Sequence, residues 1–396
     1  MKKIYADCAA TTKISDKAKE AMLSAFEIYG NPSSLHTFGV EAARLLTASR
    51  EKIAELIGAD PGEIYFTSGG SESDNQALFT IGAEGKKKSK NRVISTTVEH
   101  HAILHTMDRL KRGGFDTVLC ETDRSGSVEP KDIEALINDD CAGISVMYAN
   151  NEIGTIQPIS AIGEICARRG VPFHTDAVQA AGHLNIDVRA ENIDALSLSA
   201  HKFHGPKGVG ALYFKKTLPL ASLIEGGAQE RNRRAGTENV AGIVGMTAAL
   251  QEEMKNLEKN REYVCGLRDK LIAGLKKIPH SRLNGDEKRR LAGNVNLCFE
   301  GIEGESLLLF LDDMGIAASS GSACTSGSLD PSHVLLAIGV PHEVAHGSLR
   351  LTLCEYNTVE EVEYMVQKVP EVVAKLRAMS PVWRDLQEGK RQYVIQ

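Results

Sequence analysis

A lysine placed where a buried strand ends is available for chemistry. In Ser199-Ala200-His201-Lys202-Phe203-His204-Gly205-Pro206-Lys207-Gly208-Val209-Gly210, Lys202 follows the apolar-alternating run 193–198. Turn residues Gly205 and Pro206 come next, and a second strand-like run occupies 209–214. An ammonium taken out of water is costly unless something uses it. One use is an imine, because a lysine amine with a lowered pKa condenses with carbonyl groups. Alone, a His-Lys pair beside a turn reads as a surface feature, and the rest of the chain decides against that.

Three other residues fall at or just past strand ends, where open α/β sheets carry their ligands: His100, Asn151 and Asp176. A carboxylate such as Asp176 can keep a pyridine nitrogen protonated, Gln179 can hydrogen-bond a phenolic oxygen, and His100 can stack on a ring. The stretch Phe66-Thr67-Ser68-Gly69-Gly70-Ser71-Glu72-Ser73-Asp74-Asn75 is a strand, a small-residue turn and a helix start. Glycines let N–H groups approach an anion, and the helix N-terminus adds partial positive charge. That is a phosphate cradle without the lysine of a nucleoside-triphosphate loop.

The elements that would position these groups alternate. Residues 16–58 read as helix, interrupted at Gly30-Asn31-Pro32-Ser33-Ser34 and ended by Gly58. Strand and helix patterns then alternate through residue 214, which predicts an α/β fold, a mostly parallel sheet covered by helices. A long helical region over 240–275 bridges to a smaller part. There the pattern is a strand (293–299), a helix (303–314), a Ser/Gly-rich loop and two further helices. The domain expectation is a large domain over 16–260, and a smaller α+β domain of 1–15 and 261–396.

At 396 residues, with 42% apolar and 25% charged residues, the chain is ordinary for a globular protein. A net charge of −6 argues against nucleic acid as main partner. The basic run Lys86-Lys87-Lys88-Ser89-Lys90 reads as a solvated loop. No apolar run approaches the ~20 residues that span a bilayer, and residues 1–7 lack the apolar stretch of a signal peptide. A cytoplasmic location is expected. Eight scattered cysteines without Cys-x-x-Cys fit neither a disulfide framework nor a closed zinc site. At most one or two should be reactive.

Together these motifs resemble the class V, fold-type I pyridoxal-phosphate enzymes, and specifically the cysteine desulfurases of the NifS/IscS type. The resemblance covers nearly the whole chain. It includes Asp7-Cys8-Ala9-Ala10-Thr11-Thr12, Gly30-Asn31-Pro32-Ser33-Ser34-Leu35-His36, the Gly69-Gly70 turn, Glu99-His100 and Asn150-Asn151-Glu152-Ile153-Gly154. It continues through His174-Thr175-Asp176-Ala177-Val178-Gln179, the Lys202 stretch, Arg234-Ala235-Gly236-Thr237, Ser319-Ser320-Gly321-Ser322-Ala323-Cys324-Thr325-Ser326 and Arg350.

The resemblance implies a seven-stranded, mostly parallel sheet and roles residue by residue. Lys202 would carry pyridoxal 5'-phosphate as a Schiff base, Asp176 would pair with its pyridinium, and Gln179 would bind its phenolic oxygen. His100 would stack on the ring and move protons. Gly70, Ser71, Ser199 and His201 would hold the phosphate, with Thr237 reaching it from the other subunit of a homodimer. Asn151 and Arg350 would bind the carboxylate of L-cysteine, the arginine as a bidentate fork. The freed Lys202 would take the Cα proton. Cys324, on loop 319–328, would attack the substrate sulfur and keep it as a persulfide, leaving L-alanine. That loop is nearly all Ser, Gly, Ala and Thr and is expected to act as a mobile arm. It would carry sulfur to an acceptor for iron–sulfur clusters, or for tRNA thiolation. Cys324 is also a candidate transient ligand of a cluster shared with a scaffold protein.

Four positions depart from the family pattern: Ser71 for a threonine, Ala228 within a glycine run, Cys8 for an aromatic residue or asparagine, and Cys354 for a glycine. A selenocysteine lyase or another β-eliminating lyase of the same fold needs the lysine but not the persulfide. A non-catalytic scaffold partner in cluster assembly would need neither. Class V aminotransferases have no use for a cysteine on a flexible loop.

Overall fold

The computed structural model describes residues 3–320 and 331–395. From the N-terminus its elements are β1 (Ile4–Tyr5), α1 (Asp16–Phe26), α2 (Thr37–Ile57), β2 (Ile64–Thr67) and α3 (Gly70–Lys87). Then come β3 (Arg92–Thr96), α4 (His101–Arg112), β4 (Asp116–Cys120), α5 (Pro130–Leu136), β5 (Cys141–Ser145) and α6 (Ile159–Arg169). β6 (Phe173–Asp176), β7 (Ala195–Ser199) and β8 (Gly210–Phe214) follow, and α7 (Gln229–Asn232) is a single turn. α8 (Val240–Leu275) precedes β9 (Ser281–Leu283), β10 (Asn294–Phe299), α9 (Gly304–Asp313) and β11 (Ile316–Ala317). The chain closes with α10 (His333–Ala337), α11 (His342–Ala345), β12 (Ser348–Thr352), α12 (Val359–Met379) and α13 (Pro381–Gln387).

Seven strands form the large sheet in the order β2-β8-β7-β6-β5-β3-β4. The pairs from β4 through β7 are parallel, and β8 runs antiparallel to both β7 and β2. Every residue of β5, β6, β7 and β8 is buried, as a sheet covered on both faces requires. Local signals set the helices that cover it. His36 caps α2 and Gly58, at φ 71°, ends it in the left-handed region. A strict turn also brings Gly69 to φ 151° just ahead of α3, a conformation glycine adopts without strain.

A second apolar cluster joins Ile4 and Ala6 to Val264, Leu267, Leu271, Val295, Leu349, Leu351 and Val369. Its strands are the antiparallel sheet β12-β10-β9 and the parallel pair β1-β11. α8 serves both clusters: Ile243, Met246 and Leu250 pack beneath the large sheet, and Val264 to Leu275 into the second.

Three expectations are corrected. The segment after the Ser/Gly-rich loop holds a strand as well as helices: β12, whose Leu349 and Leu351 face the second cluster while Arg350 points the other way. The run Lys86-Lys87-Lys88 is not a loop but the last turn and cap of α3, where cations complement the helix dipole. Lys86 lies over the Phe115 ring and donates to the Gly113 carbonyl. The apolar run 142–148 reads as one strand, but β5 stops at Ser145, although Val146 and Tyr148 still donate to the His174 and Asp176 carbonyls. Among the described residues, no helix is long and apolar enough to cross a membrane.

Gly210 ties the sheet to the cradle. It pairs with Ser199 and with Thr67, and a Cβ there would sit 2.4 Å from the Leu198 carbonyl oxygen and 2.7 Å from Gly69 Cα. Both obstacles are backbone, so Gly210→Ala must move the Gly69 turn. The expected loss is about 1–3 kcal/mol of stability, with faster cofactor release, read by thermal denaturation and by dialysis of the loaded protein.

Candidate active site

The parallel strands deliver their C-terminal ends to one edge of the sheet, and the candidate residues sit along it. Ser199 ends β7 and Asp176 ends β6, while His100 and Asn151 lie in the segments that leave β3 and β5. Lys202 closes a short 3-10 turn directly after β7. Its Nζ donates to the carbonyl oxygens of Ala9 and Ala10 at 2.6 and 2.9 Å. Gln179 Nε2 donates to the same Ala9 oxygen at 3.0 Å. The strip 9–10 is thus a shared acceptor, and His183 Nε2 approaches the Lys202 carbonyl from behind.

Asp176 is buried and its Oδ1 accepts from the Val178 N–H at 2.9 Å. Burial raises its pKa to about 6, against the opposing Val178 hydrogen bond and the Lys202 charge. A second cation at this carboxylate, such as a protonated pyridine nitrogen, is what that environment favours. His100 caps α4, its Nδ1 accepting from the Ala102 N–H, so in the neutral ring the proton belongs on Nε2. Burial, then the charges of Lys202, His101 and His105, lower its pKa to about 4. The ring is neutral at physiological pH.

An open cleft of about 430 Å³ is lined by Thr11, Ser68, Gly69, Gly70, Ser71 and His201, with Ser199 beside them. α3 begins at Gly70, so its free N–H groups point toward this cleft. A Cβ on Gly70 would meet Val178 Cγ2 at 2.5 Å, so only glycine brings the backbone this close. Glu72 also lines the cleft, but both its carboxylate oxygens are taken up, by Arg234 and the Ser68 N–H. Burial raises its pKa, but hydrogen bonds from Arg234 and Ser68 outweigh this and hold it below the ordinary range. The residues present therefore fit a phosphorylated pyridine aldehyde: a glycine cradle, an amine beyond it and a buried carboxylate beyond that. Thr237 is exposed and does not line this cleft within the chain.

Arg350, 2% exposed, donates from Nη2 to Asp7 Oδ1 at 3.0 Å and from Nη1 to the Asn151 carbonyl at 3.1 Å. Its Nε has no partner, a buried donor in want of an acceptor. The Asn151 carbonyl is presented there because the Asn150 side chain folds its loop, accepting from the Glu152 and Ile153 N–H groups. Cys324 and loop 319–328 lie, except for Ser319 and Ser320, outside the described residues.

The motifs alone did not disclose three contributors. Asp7 orients Arg350 from 343 positions away. Asp74 lies buried on α3, 3.7 Å from His174, which is itself bridged between Ser145 and Ser197 hydroxyls. Glu99 is buried, its Oε1 accepting from Thr96 Oγ1 and Met147 N–H. A charged residue immediately before His100 in an apolar strand exit was the available signal for Glu99.

A family model described as aminotransferase class-V matches residues 4–365. The chain is 50% identical over 395 residues to a protein named cysteine desulfurase IscS from Clostridium botulinum (strain Hall), covering 99% of each. It is 52% identical over 382 residues to one of the same name from Methanosarcina thermophila, covering 96% of this chain and 94% of that one. A solved structure named NifS-like protein is similar with a TM-score of 0.89 and 38% identity, covering 94% of this chain and all of that one.

Burial raises the Glu99 pKa from 4.5 to about 8, so the folded state holds its proton more tightly than the unfolded chain does. The stability this contributes is complete below about 4.5 and fades as pH rises toward 8. Glu99→Gln removes the titration. Its melting temperature should fall less steeply across that window than the wild type's, whose slope from this group is at most about 1.4 kcal/mol per pH unit.

Proposed function

The chain belongs to the class-V aminotransferase family, and from that premise we propose that it works as a pyridoxal phosphate-dependent cysteine desulfurase for iron–sulfur cluster assembly. It converts L-cysteine to L-alanine and hands the sulfur to an acceptor. The observation that carries the reading at the site is the convergence of Lys202 and Asp176 from neighbouring parallel strands, with His100 and Arg350 beside them. The full-length likeness to proteins named cysteine desulfurase supports the same activity.

Each residue contributes a definable act. Gly70, Ser71, Ser199 and His201 would hold the phosphate, and Lys202 would hold the cofactor's aldehyde carbon. Arg350 receives the substrate carboxylate, its plane fixed by Asp7 and the Asn151 carbonyl, with the unpartnered Nε supplying one tine of the fork. Asp176 would pair with the protonated pyridine nitrogen, and Gln179, whose amide donates to the Ala9 carbonyl, would reach the phenolic oxygen. Pyridoxal phosphate, when bound, supplies an electron sink for the charge left at Cα. Lys202 Nζ takes the Cα proton, and neutral His100 presents an N–H at Nε2 for proton movement. The Cys324 thiolate forms a new bond to the substrate sulfur while the Cβ–S bond breaks, and the residual carbon skeleton takes up protons to become L-alanine.

Thr237, exposed here, is assigned to the phosphate of a partner subunit in a homodimer. The cytoplasm, where thiols stay reduced, suits a thiolate nucleophile.

Sulfide and alanine release from L-cysteine, measured with a thiol reductant, tests this. Wild type should be active and Cys324→Ala inactive. Equal activity in both means a lyase that releases sulfur unaided, and a purified protein without the imine absorbance means a scaffold. Arg350→Lys should raise the KM for L-cysteine by about 10- to 100-fold, the worth of a charge-assisted pair.

A further inference from the structure

Cys8 and Cys354, two of the positions that depart from the family pattern, meet behind the site. Cys8 belongs to the N-terminal strip and Cys354 follows β12, and their thiols hydrogen-bond to each other. Glu355 comes next in the chain, and His204, two residues past Lys202, completes the group. One donor atom each from His204, Cys354 and Glu355 lies within 4.8 Å of the others.

The arrangement of His204 is the informative part. The side chain is fully buried, and its Nδ1 lies 2.8 Å from the Lys13 carbonyl oxygen. A carbonyl only accepts, so the proton sits on Nδ1 and the Nε2 of the neutral ring carries a lone pair. That Nε2 has no hydrogen-bond partner, although Glu355 Oε1 is 3.3 Å away. At that distance either a proton on Nε2, as in an imidazolium–carboxylate pair, or a metal cation must lie between the two. A histidine whose other nitrogen is anchored on a backbone carbonyl is the usual orientation of a metal ligand.

The cluster is also reachable. A cavity of about 70 Å³ is lined by Cys8, Cys354 and Glu355, and by Glu253 and His183 as well. Sulfur, imidazole and carboxylate together suit zinc or ferrous iron better than magnesium or calcium. Bonds of about 2.0–2.3 Å in a tetrahedron place donor atoms about 3.3–3.8 Å apart. The present separations need to close by roughly 1 Å.

We propose that His204, Cys354 and Glu355, with Cys8 as fourth donor, form a structural site for a divalent borderline-soft metal, zinc being the best match. Binding releases the thiol protons and the proton on His204 Nε2 to solvent and sets two thiolates and a carboxylate against the dication, with no change of oxidation state. The metal joins three segments that build the active site: the strip whose Ala9 carbonyl receives Lys202, the turn behind Lys202, and the strand end beyond Arg350.

The test uses the cofactor-loaded protein purified anaerobically with its thiols reduced. Mass spectrometry of the dialysed protein should find about one zinc per chain. Cobalt(II) put in its place should give the intense visible d–d bands of a tetrahedral thiolate site, at wavelengths clear of the cofactor. His204→Asn and Cys354→Ser should each weaken metal retention about tenfold or more, whereas Cys324→Ala should keep both zinc and bands. A chelator should lower the melting temperature of the wild type and leave that of His204→Asn unchanged. If these variants fail to fold, Cys8→Ser and the chelator effect on wild type carry the same reading. Reduced wild-type protein that binds neither zinc nor cobalt overturns the proposal. So do bands that vanish with Cys324→Ala and persist in His204→Asn.

Discussion

Seven residues of backbone hold the site together. The strip from Ala6 to Thr12 lies between the two apolar clusters and is gripped from both sides. The Ala6 carbonyl accepts from the Thr352 N–H, and the Ala9 N–H donates to Thr352 Oγ1. On the other side Thr12 donates to the His201 carbonyl, and the Ala9 and Ala10 carbonyls receive Lys202. Within the strip Asp7 orients Arg350. The groups assigned to cofactor and to substrate carboxylate are therefore referenced to one strip, and a shift in it displaces both. Catalytic geometry tolerates little of that, since errors near 1 Å are costly.

Beneath the sheet edge the electrostatics follow from burial. Asp74, Glu99 and Asp176 are all nearly inaccessible, and burial pushes each carboxyl upward. Of the three, only Asp176 has a cation beside it, and Lys202 together with the Val178 N–H opposes the desolvation. Asp74 is raised well above the ordinary range, burial first and the charge of Asp176 next. One carboxylate can be charged at modest cost because its two neighbours stay protonated. His174 agrees: flanked by two serine hydroxyls and fully buried, its pKa falls to about 3, and it adds no charge.

The sequence reveals the large sheet because strands covered on both faces are short apolar runs between polar helices, as in 141–145 and 195–199. α8 is read end to end, since its apolar spacing persists through charged residues and its glycines, and no proline interrupts it. β12 is harder to see: Arg350 draws attention as a chemical group, yet its neighbours Leu349 and Leu351 alternate with it as a half-buried strand should. The site divides in the same way. Lys202, Asp176, His100 and the Gly69-Gly70 turn are visible because each stands where a strand pattern stops. Pairings across hundreds of residues, such as Asp7 with Arg350 or Cys8 with Cys354, carry no local periodicity. They depend on how the second cluster docks, which only the assembled chain discloses.

The clasp on the N-terminal strip has a consequence for the order of assembly. Ile4 and Ala6 donate to the carbonyls of Gly315 and Ala317, and Cys8 donates to that of Thr352. Residues 4–8 must wait for residues 315–352 to be made before they are paired. Until then the nascent chain can build the large sheet, whose strands end at Phe214, but its lysine faces no finished wall. Domains fold largely as they emerge, and contacts of long sequence separation come late. A product that stops short of residue 352 thus lacks the strip's partners and cannot complete the site, so reactive sulfur chemistry is withheld until that segment has been made.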